Sequence, residues 1–193
     1  MPIFHPFGGA ACLVLPVATQ GTIVLMPEYS AERSLQLIQE HRVTIHHCAP
    51  AHILMCTKLP NFKEYDVSSL RTSLGAGFAW PPEVFDRAYD EMNLDLVHIW
   101  GMAEIGGMAL VSNPTKHGRE RRNHYMGVAV EGEAAVMDPQ SGKLLPPDEP
   151  GELVYRGEIF KEYWNNPVET AKAFDADGWF HTGDLVTQDG EGF

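Results

Sequence analysis

Glu104 stands in an otherwise apolar loop, Ile99-Trp100-Gly101-Met102-Ala103-Glu104-Ile105-Gly106-Gly107. A carboxylate in such surroundings must be solvated, paired or bound to a cation, and its hard oxygens suit Mg2+. Trp100, at the head of the loop, offers a flat ring that can lie on a purine or fill a core, and Gly101 leaves room beside it. A second acidic candidate is Asp184, in Gly178-Trp179-Phe180-His181-Thr182-Gly183-Asp184. Its two oxygens can accept from a vicinal diol, although a turn aspartate explains the tripeptide Thr182-Gly183-Asp184 equally well. In Ser73-Leu74-Gly75-Ala76-Gly77-Phe78 the glycines Gly75 and Gly77 flank Ala76 directly after an apolar run. Glycine lets backbone approach a flat or charged ligand closely, and it also serves a simple tight turn.

Other polar residues carry less. His5, in Ile3-Phe4-His5-Pro6-Phe7-Gly8-Gly9, is either a gate to a pocket or a hydrogen-bonded histidine at a helix start. His46 and His47 are neighbours on a predicted strand and point to opposite faces, so no zinc site is expected of them even with His52 nearby. No Ser, Cys or Lys lies in a nucleophile setting. Cys12, Cys48 and Cys56 are odd in number and form no Cys-x-x-Cys pair, so reduced core thiols are expected.

The 193 residues, 44% of them apolar, are enough for a buried core in one domain or two small ones. The net charge of −12 is concentrated in residues 131–193, which hold 14 acidic against 4 basic side chains. Lys116, Arg119, Arg121 and Arg122 form the only basic cluster, too small for a nucleic-acid footprint. It reads as a solvated loop, or else as a contact for an anionic group such as a CoA phosphate. The apolar run from Ala10 to Leu15 falls well short of the roughly 18 to 20 residues of a membrane span, so no transmembrane segment is expected. No basic region precedes the apolar residues at the amino terminus, so a cytoplasmic protein is expected rather than a secreted one.

The elements that must position these residues alternate between helix and strand over residues 1–112, the pattern of parallel βαβ construction. Gly8 to Thr19 is expected to be a buried helix broken near Pro16, Thr22 to Met26 a strand, and Ser30 to Arg42 a helix capped by Ser30. Then follow a strand (Val43 to His47), a helix (Ala49 to Leu59), a strand (Leu70 to Leu74), a helix opened by proline (Pro82 to Met92) and a strand (Leu94 to Trp100). Residues 113–193 change to short β-like runs punctuated by Gly, Pro and Asp. Ala134 to Met137, Glu152 to Arg156 and Leu185 to Thr187 are expected strands, with a helix from Pro167 to Phe174. The fold expected is α/β, a parallel-sheet βαβ subdomain followed by a small, β-rich, barrel-like one.

The Trp100 loop, the Thr182-Gly183-Asp184 segment and the run Glu162-Tyr163-Trp164-Asn165-Asn166-Pro167, with Thr170, Phe174 and Asp177-Gly178-Trp179-Phe180, together resemble the adenylate-forming superfamily. Within it the acyl-CoA synthetases, or acid:thiol ligases, are the nearest type. The resemblance runs from Pro2 to Phe193. It implies ATP-dependent activation of a carboxylic acid to acyl-AMP, then transfer to coenzyme A. It also implies roles: Gly75, Ala76 and Gly77 border the adenine, Trp100 stacks on it, and Gly101, Met102 and Ala103 continue the nucleotide loop. Glu104 would bind Mg2+ and Asp184 both ribose hydroxyls. Phe4, His5, Phe7, Gly106 and Gly107 would line the acyl pocket. No Asp stands where amino-acid-selecting relatives hold an α-ammonium, which favours a fatty or aryl acid. The family carries Thr where this chain has Ala103, one hydrogen bond fewer to the α-phosphate. The family chain is longer, so a phosphate loop with its Lys is expected before Met1 and a mobile domain with a catalytic Lys after Phe193. This stretch alone is not expected to turn over. Two other readings stay open: a non-catalytic binding or scaffold protein of the same fold, and a ligase that loads a carrier protein.

Overall fold

The computed structural model describes residues 3–76 and 80–193, so the expected role of Gly77 lies outside the described residues. The fold is α/β with a separate antiparallel sheet, and the chain divides into two compact units. The first comprises Met1–Trp100 and Ser112–Tyr125, the second Gly101–Val111 and Met126–Phe193. The sequence pattern puts a single boundary near residue 112.

The first unit begins with a helical run: α1 (Pro6–Gly9), a π turn (Ala10–Val14) and α2 (Leu15–Ala18). Pro16 does not break it. The Leu15 N–H donates to Ala10 O, five residues back, and the widened turn accommodates a ring that would otherwise collide with the carbonyl four residues earlier. Nor is the run buried as expected: Val14 and Val17 are 64% and 73% exposed, while Phe7 and Ala11 are buried.

Next come α3 (Ala31–His41), α4 (Pro50–Thr57), β1 (Thr72–Gly75), α5 (Pro82–Met92) and β2 (Asp95–Trp100). Ser30 caps α3 as its residue type requires, its Oγ accepting the Arg33 N–H at 3.3 Å. Leu35 and Ile38 of α3, with Val84, Phe85, Ala88 and Met92 of α5, present helical-spaced apolar faces to one core shared with Ile53, Leu70, Leu94 and Leu96. The crossover through α5 lets β1 and β2 pair in parallel, from Thr72 opposite Asp95 to Gly75 opposite His98.

Two expected strands do not form ladders. Thr22 to Met26 has no strand partner among the described residues, and Leu25 is 58% exposed. Among the described residues Val43 to His47 makes a single parallel bridge, Ile45 to Thr72. The Leu74 N–H, which could extend that pairing, donates instead to His47 Nδ1 at 3.3 Å.

The basic segment is built in, contrary to its reading as a solvated loop. Arg122, on α6 (Arg119–His124), is buried and donates to Asp95 Oδ1 at 2.6 Å, Leu96 O at 2.7 Å and His117 O at 3.0 Å. Arg119 pairs with Asp86 and Asp90 of α5 and lies over the Tyr89 ring. Arg122 thereby ties residues 112–125 to β2, and Arg119 ties them to α5.

In the second unit β3 (Leu110–Val111) pairs with β4 (Val128–Ala129), antiparallel. β5 (Glu133–Met137), β6 (Gly151–Arg156) and β7 (Phe180–Val186) form an antiparallel sheet in that order, with α7 (Pro167–Ala173) preceding β7. Met137, Val154 and Trp179 form part of its core, and Arg156 lies 4.5 Å above the Trp179 ring. The last strand starts earlier than the expected Leu185 and so takes in the Thr182-Gly183-Asp184 segment. Among the described residues no helix is long and apolar enough to cross a membrane.

Candidate active site

Within the second unit, residues 101–107 form a closed loop around a single 3-10 turn, Ala103–Ile105. A Cβ on Gly101 would stand 2.6 Å from the Gly107 carbonyl carbon and 2.8 Å from Met108 Cα. The room beside Gly101 is therefore taken by the loop's own return. Met102 N-caps the turn, Gly107 N–H donates back to Met102 O at 2.9 Å, and Gly106, in the left-handed region, ends it. Ala103 is exposed and Glu104 half-buried.

Glu104 is held at both ends. Its carbonyl accepts the Phe160 N–H at 3.0 Å and its Oε1 accepts the Tyr163 hydroxyl at 3.1 Å. Tyr163 is itself placed by the helix start that follows: its N–H donates to Thr170 Oγ1 at 2.9 Å and its carbonyl accepts from Asn166 N. Asn166 caps α7 through its side chain. The signal for this anchor was present in the Glu162 to Pro167 run, but spacing alone gives Tyr163 no partner.

Phe160 also stacks into a ring cluster, 4.8 Å from Tyr163, 5.3 Å from Phe174 and 5.3 Å from Phe180. Phe180 is buried and opens β7, so the same cluster steadies the Glu104 loop and the strand that carries Asp184.

Thr182, Gly183 and Asp184 form a bulge in β7. Val154 pairs with His181 and Glu152 with Leu185, which leaves three residues opposite Leu153 alone. The Thr182 hydroxyl donates to Leu153 O at 2.7 Å and accepts the Asp184 N–H at 3.2 Å. Gly183 takes φ +79°, a conformation glycine adopts without strain, and its N–H donates to Glu152 Oε1 at 3.0 Å. The other Glu152 oxygen lies 2.9 Å from His181 Nδ1. Asp184 is exposed at the outer end of the bulge. Glu152 is thus a supporting residue that the sequence reading missed.

The remaining candidates lie in the first unit. Trp100 ends β2 half-buried. Gly75 ends β1 buried, and a Cβ there would meet the Trp80 indole at 2.8 Å, so packing already accounts for this glycine; Ala76 follows, half-buried. His5 Nδ1 accepts the Phe7 N–H at 3.3 Å, Phe7 packs edge-on to His47, and Phe4 is 90% exposed. Gly106 and Gly107 belong to the second unit with Glu104. Cys48 and Cys56 are buried free thiols and Cys12 is partly exposed; burial pushes the Cys48 thiol up to about 12, far from a nucleophile's range.

Glu104 suits the Mg2+ role on its chemistry. One oxygen is fixed by a neutral donor, and Mg2+ is commonly bound by one or two carboxylates together with substrate phosphates rather than by a cage of protein ligands.

Comparison with known proteins places the chain in a family. The family model described as AMP-binding enzyme matches residues 1–164. The 4-coumarate–CoA ligase 1 of Solanum tuberosum is 31% identical over 189 residues, covering 96% of this chain and 35% of the relative. A mitochondrial medium-chain acyl-CoA ligase of Macaca fascicularis is 27% identical over the whole chain, covering 32% of the relative. The crystal structure of the anthranilate CoA ligase AuaEII in complex with anthranoyl-AMP superposes with a TM-score of 0.86 at 28% identity, over 98% of this chain and 36% of that one. The chain spans about a third of the length of the relatives it matches, and it belongs to the AMP-binding enzyme family.

Proposed function

We propose that the protein carrying this chain is an AMP-forming acid:CoA ligase acting on a fatty or aryl carboxylic acid. The observation that carries the reading is the joint anchoring, in one compact unit, of a loop carboxylate and an exposed bulge carboxylate by one ring cluster. The names of the three relatives described above, each a CoA ligase, support the class of reaction.

In the first half-reaction a substrate carboxylate oxygen attacks the α-phosphorus of ATP and pyrophosphate leaves. In the second the thiol of coenzyme A, losing its proton, attacks the acyl carbonyl and AMP leaves. Charge stabilisation at phosphorus supplies most of the rate in such chemistry. Mg2+, held by Glu104, would neutralise the phosphate charge that develops. Asp184 accepts the ribose hydroxyls, and its exposure on a stapled bulge suits an acceptor that must meet a ligand without reorganising. Trp100 stacks on the adenine, while Gly75, Ala76 and Gly77 border it; Gly101 and Met102 shape the loop. Ala103 offers the α-phosphate no hydroxyl. Phe4, His5, Phe7, Gly106 and Gly107 are assigned to the acyl pocket.

The test is pyrophosphate release by the full-length protein across a panel of carboxylic acids, with and without coenzyme A. Acid-dependent pyrophosphate, with acyl-CoA formed when coenzyme A is added, is expected. Nucleotide binding without pyrophosphate for any acid would instead mark a binding protein, and acyl-AMP that only a carrier protein discharges would change the acceptor.

A further inference from the structure

We propose that Tyr163 is a positioning residue for Glu104: its hydroxyl fixes one carboxylate oxygen so that the other is presented to a Mg2+·nucleotide. The inference rests on the reading of Glu104 as the magnesium carboxylate. It adds a residue 59 positions away that the assigned roles leave without a task.

Glutamate has three side-chain torsions, and a half-buried one on a short 3-10 turn samples several rotamers unless something holds its head. Here the Tyr163 hydroxyl, at 3.1 Å from Oε1, is that restraint. The donor is itself rigid. Its ring packs 4.8 Å from Phe160, whose own N–H bonds the Glu104 carbonyl, so backbone and side chain of Glu104 are gripped from one short segment. The far side of that segment is locked by Thr170 Oγ1 on the Tyr163 N–H. A neutral donor suits the role: it orients the carboxylate without cancelling the charge a cation needs, as a lysine would. Partners that orient a metal ligand commonly change metal affinity by 10–100-fold when removed.

The experiment measures binding of α,β-methylene ATP to the full-length protein by calorimetry, once with Mg2+ and once with EDTA, for the wild type, Tyr163→Phe and Glu104→Gln. The ratio of the two affinities isolates the metal-dependent gain. Tyr163→Phe keeps the ring against Phe160, and its melting temperature is read alongside. We expect it to cut the metal-dependent gain about tenfold with the EDTA affinity unchanged, and Glu104→Gln to remove most of the gain. If Tyr163→Phe leaves the gain intact, or weakens binding equally with and without metal, Tyr163 is merely structural and the inference falls while Glu104 keeps its role. If Glu104→Gln retains the full gain, the magnesium reading of Glu104 falls, and the inference with it.

Discussion

Gly101 and Gly107 touch where a side chain cannot fit: a Cβ on Gly101 would lie 2.6 Å from the Gly107 carbonyl carbon. The loop that presents Glu104 therefore closes on itself only because position 101 carries no side chain. Gly101→Ala is expected to force the loop apart, displace Glu104 and slow adenylate formation about tenfold or more, since misplacement on the scale of 1 Å costs up to roughly 10²-fold. Pyrophosphate release measured beside the melting temperature checks this. A fully active, correctly folded alanine variant would show that the loop's closure does not position Glu104.

Asp184→Ala should act on nucleotide binding. Its backbone N–H is held by the Thr182 hydroxyl within the bulge, so the strand should survive the change. The ribose hydroxyls lose an acceptor in ground and transition states alike, and KM for ATP is expected to rise more than kcat falls. Steady-state kinetics in ATP decide it, and an unchanged KM would take Asp184 out of the ribose site.

Ala103 is exposed on the first position of its turn, so a larger side chain meets no packing obstacle there. Ala103→Thr is expected to speed adenylation several-fold, about 1 kcal/mol of added hydrogen bonding to a charged phosphate being worth roughly fivefold. Single-turnover acyl-adenylate formation is the readout. No gain, or a loss, would mean that another group already serves the α-phosphate.

Two histidines, His98 buried and His46 half-buried, set the acid limit of stability. His46 and His98 are each pushed down to about 4, in both cases first by burial; neighbouring His52 and His47 add to the shift at His46, and Arg122 adds to it at His98. In the unfolded chain each takes a proton near pH 6.5, while the folded protein declines it. Stability should be complete above about pH 6.5 and fall as the pH drops toward 4, by up to about 1.4 kcal/mol per pH unit for each histidine. Melting temperatures at pH 7 and pH 5 for the wild type and His98→Gln test it. The variant should show the shallower loss, and equal losses would refute the account of His98.

What was legible in the sequence was local. Ser30 and the Pro82 to Met92 helix are written in cap chemistry and 3.6-residue spacing, which need no distant partner. The βαβ order and the β-rich end followed from the same kind of signal. Strands depend on what lies beside them, which is why, among the described residues, Thr22 to Met26 stays unpaired and Val43 to His47 reduces to one bridge. Arg119 and Arg122 looked like a solvated cluster because Asp86, Asp90 and Asp95 stand some thirty residues upstream. Glu104 and Asp184 were singled out by residue type, whereas their supports, Tyr163 and Glu152, could not be. A hydroxyl 59 residues from its acceptor, or a carboxylate stapling the opposite strand, leaves no mark in spacing.

Glu104→Gln in the full-length protein is the most direct measurement of whether this loop is adenylating machinery. The change keeps the shape of the side chain and an oxygen for the Tyr163 hydroxyl, and removes the charge that would hold Mg2+. Acid-dependent pyrophosphate release at saturating ATP is expected to fall by roughly 10² or more, with the melting temperature little altered. Wild-type release from a correctly folded Glu104→Gln protein would contradict the account.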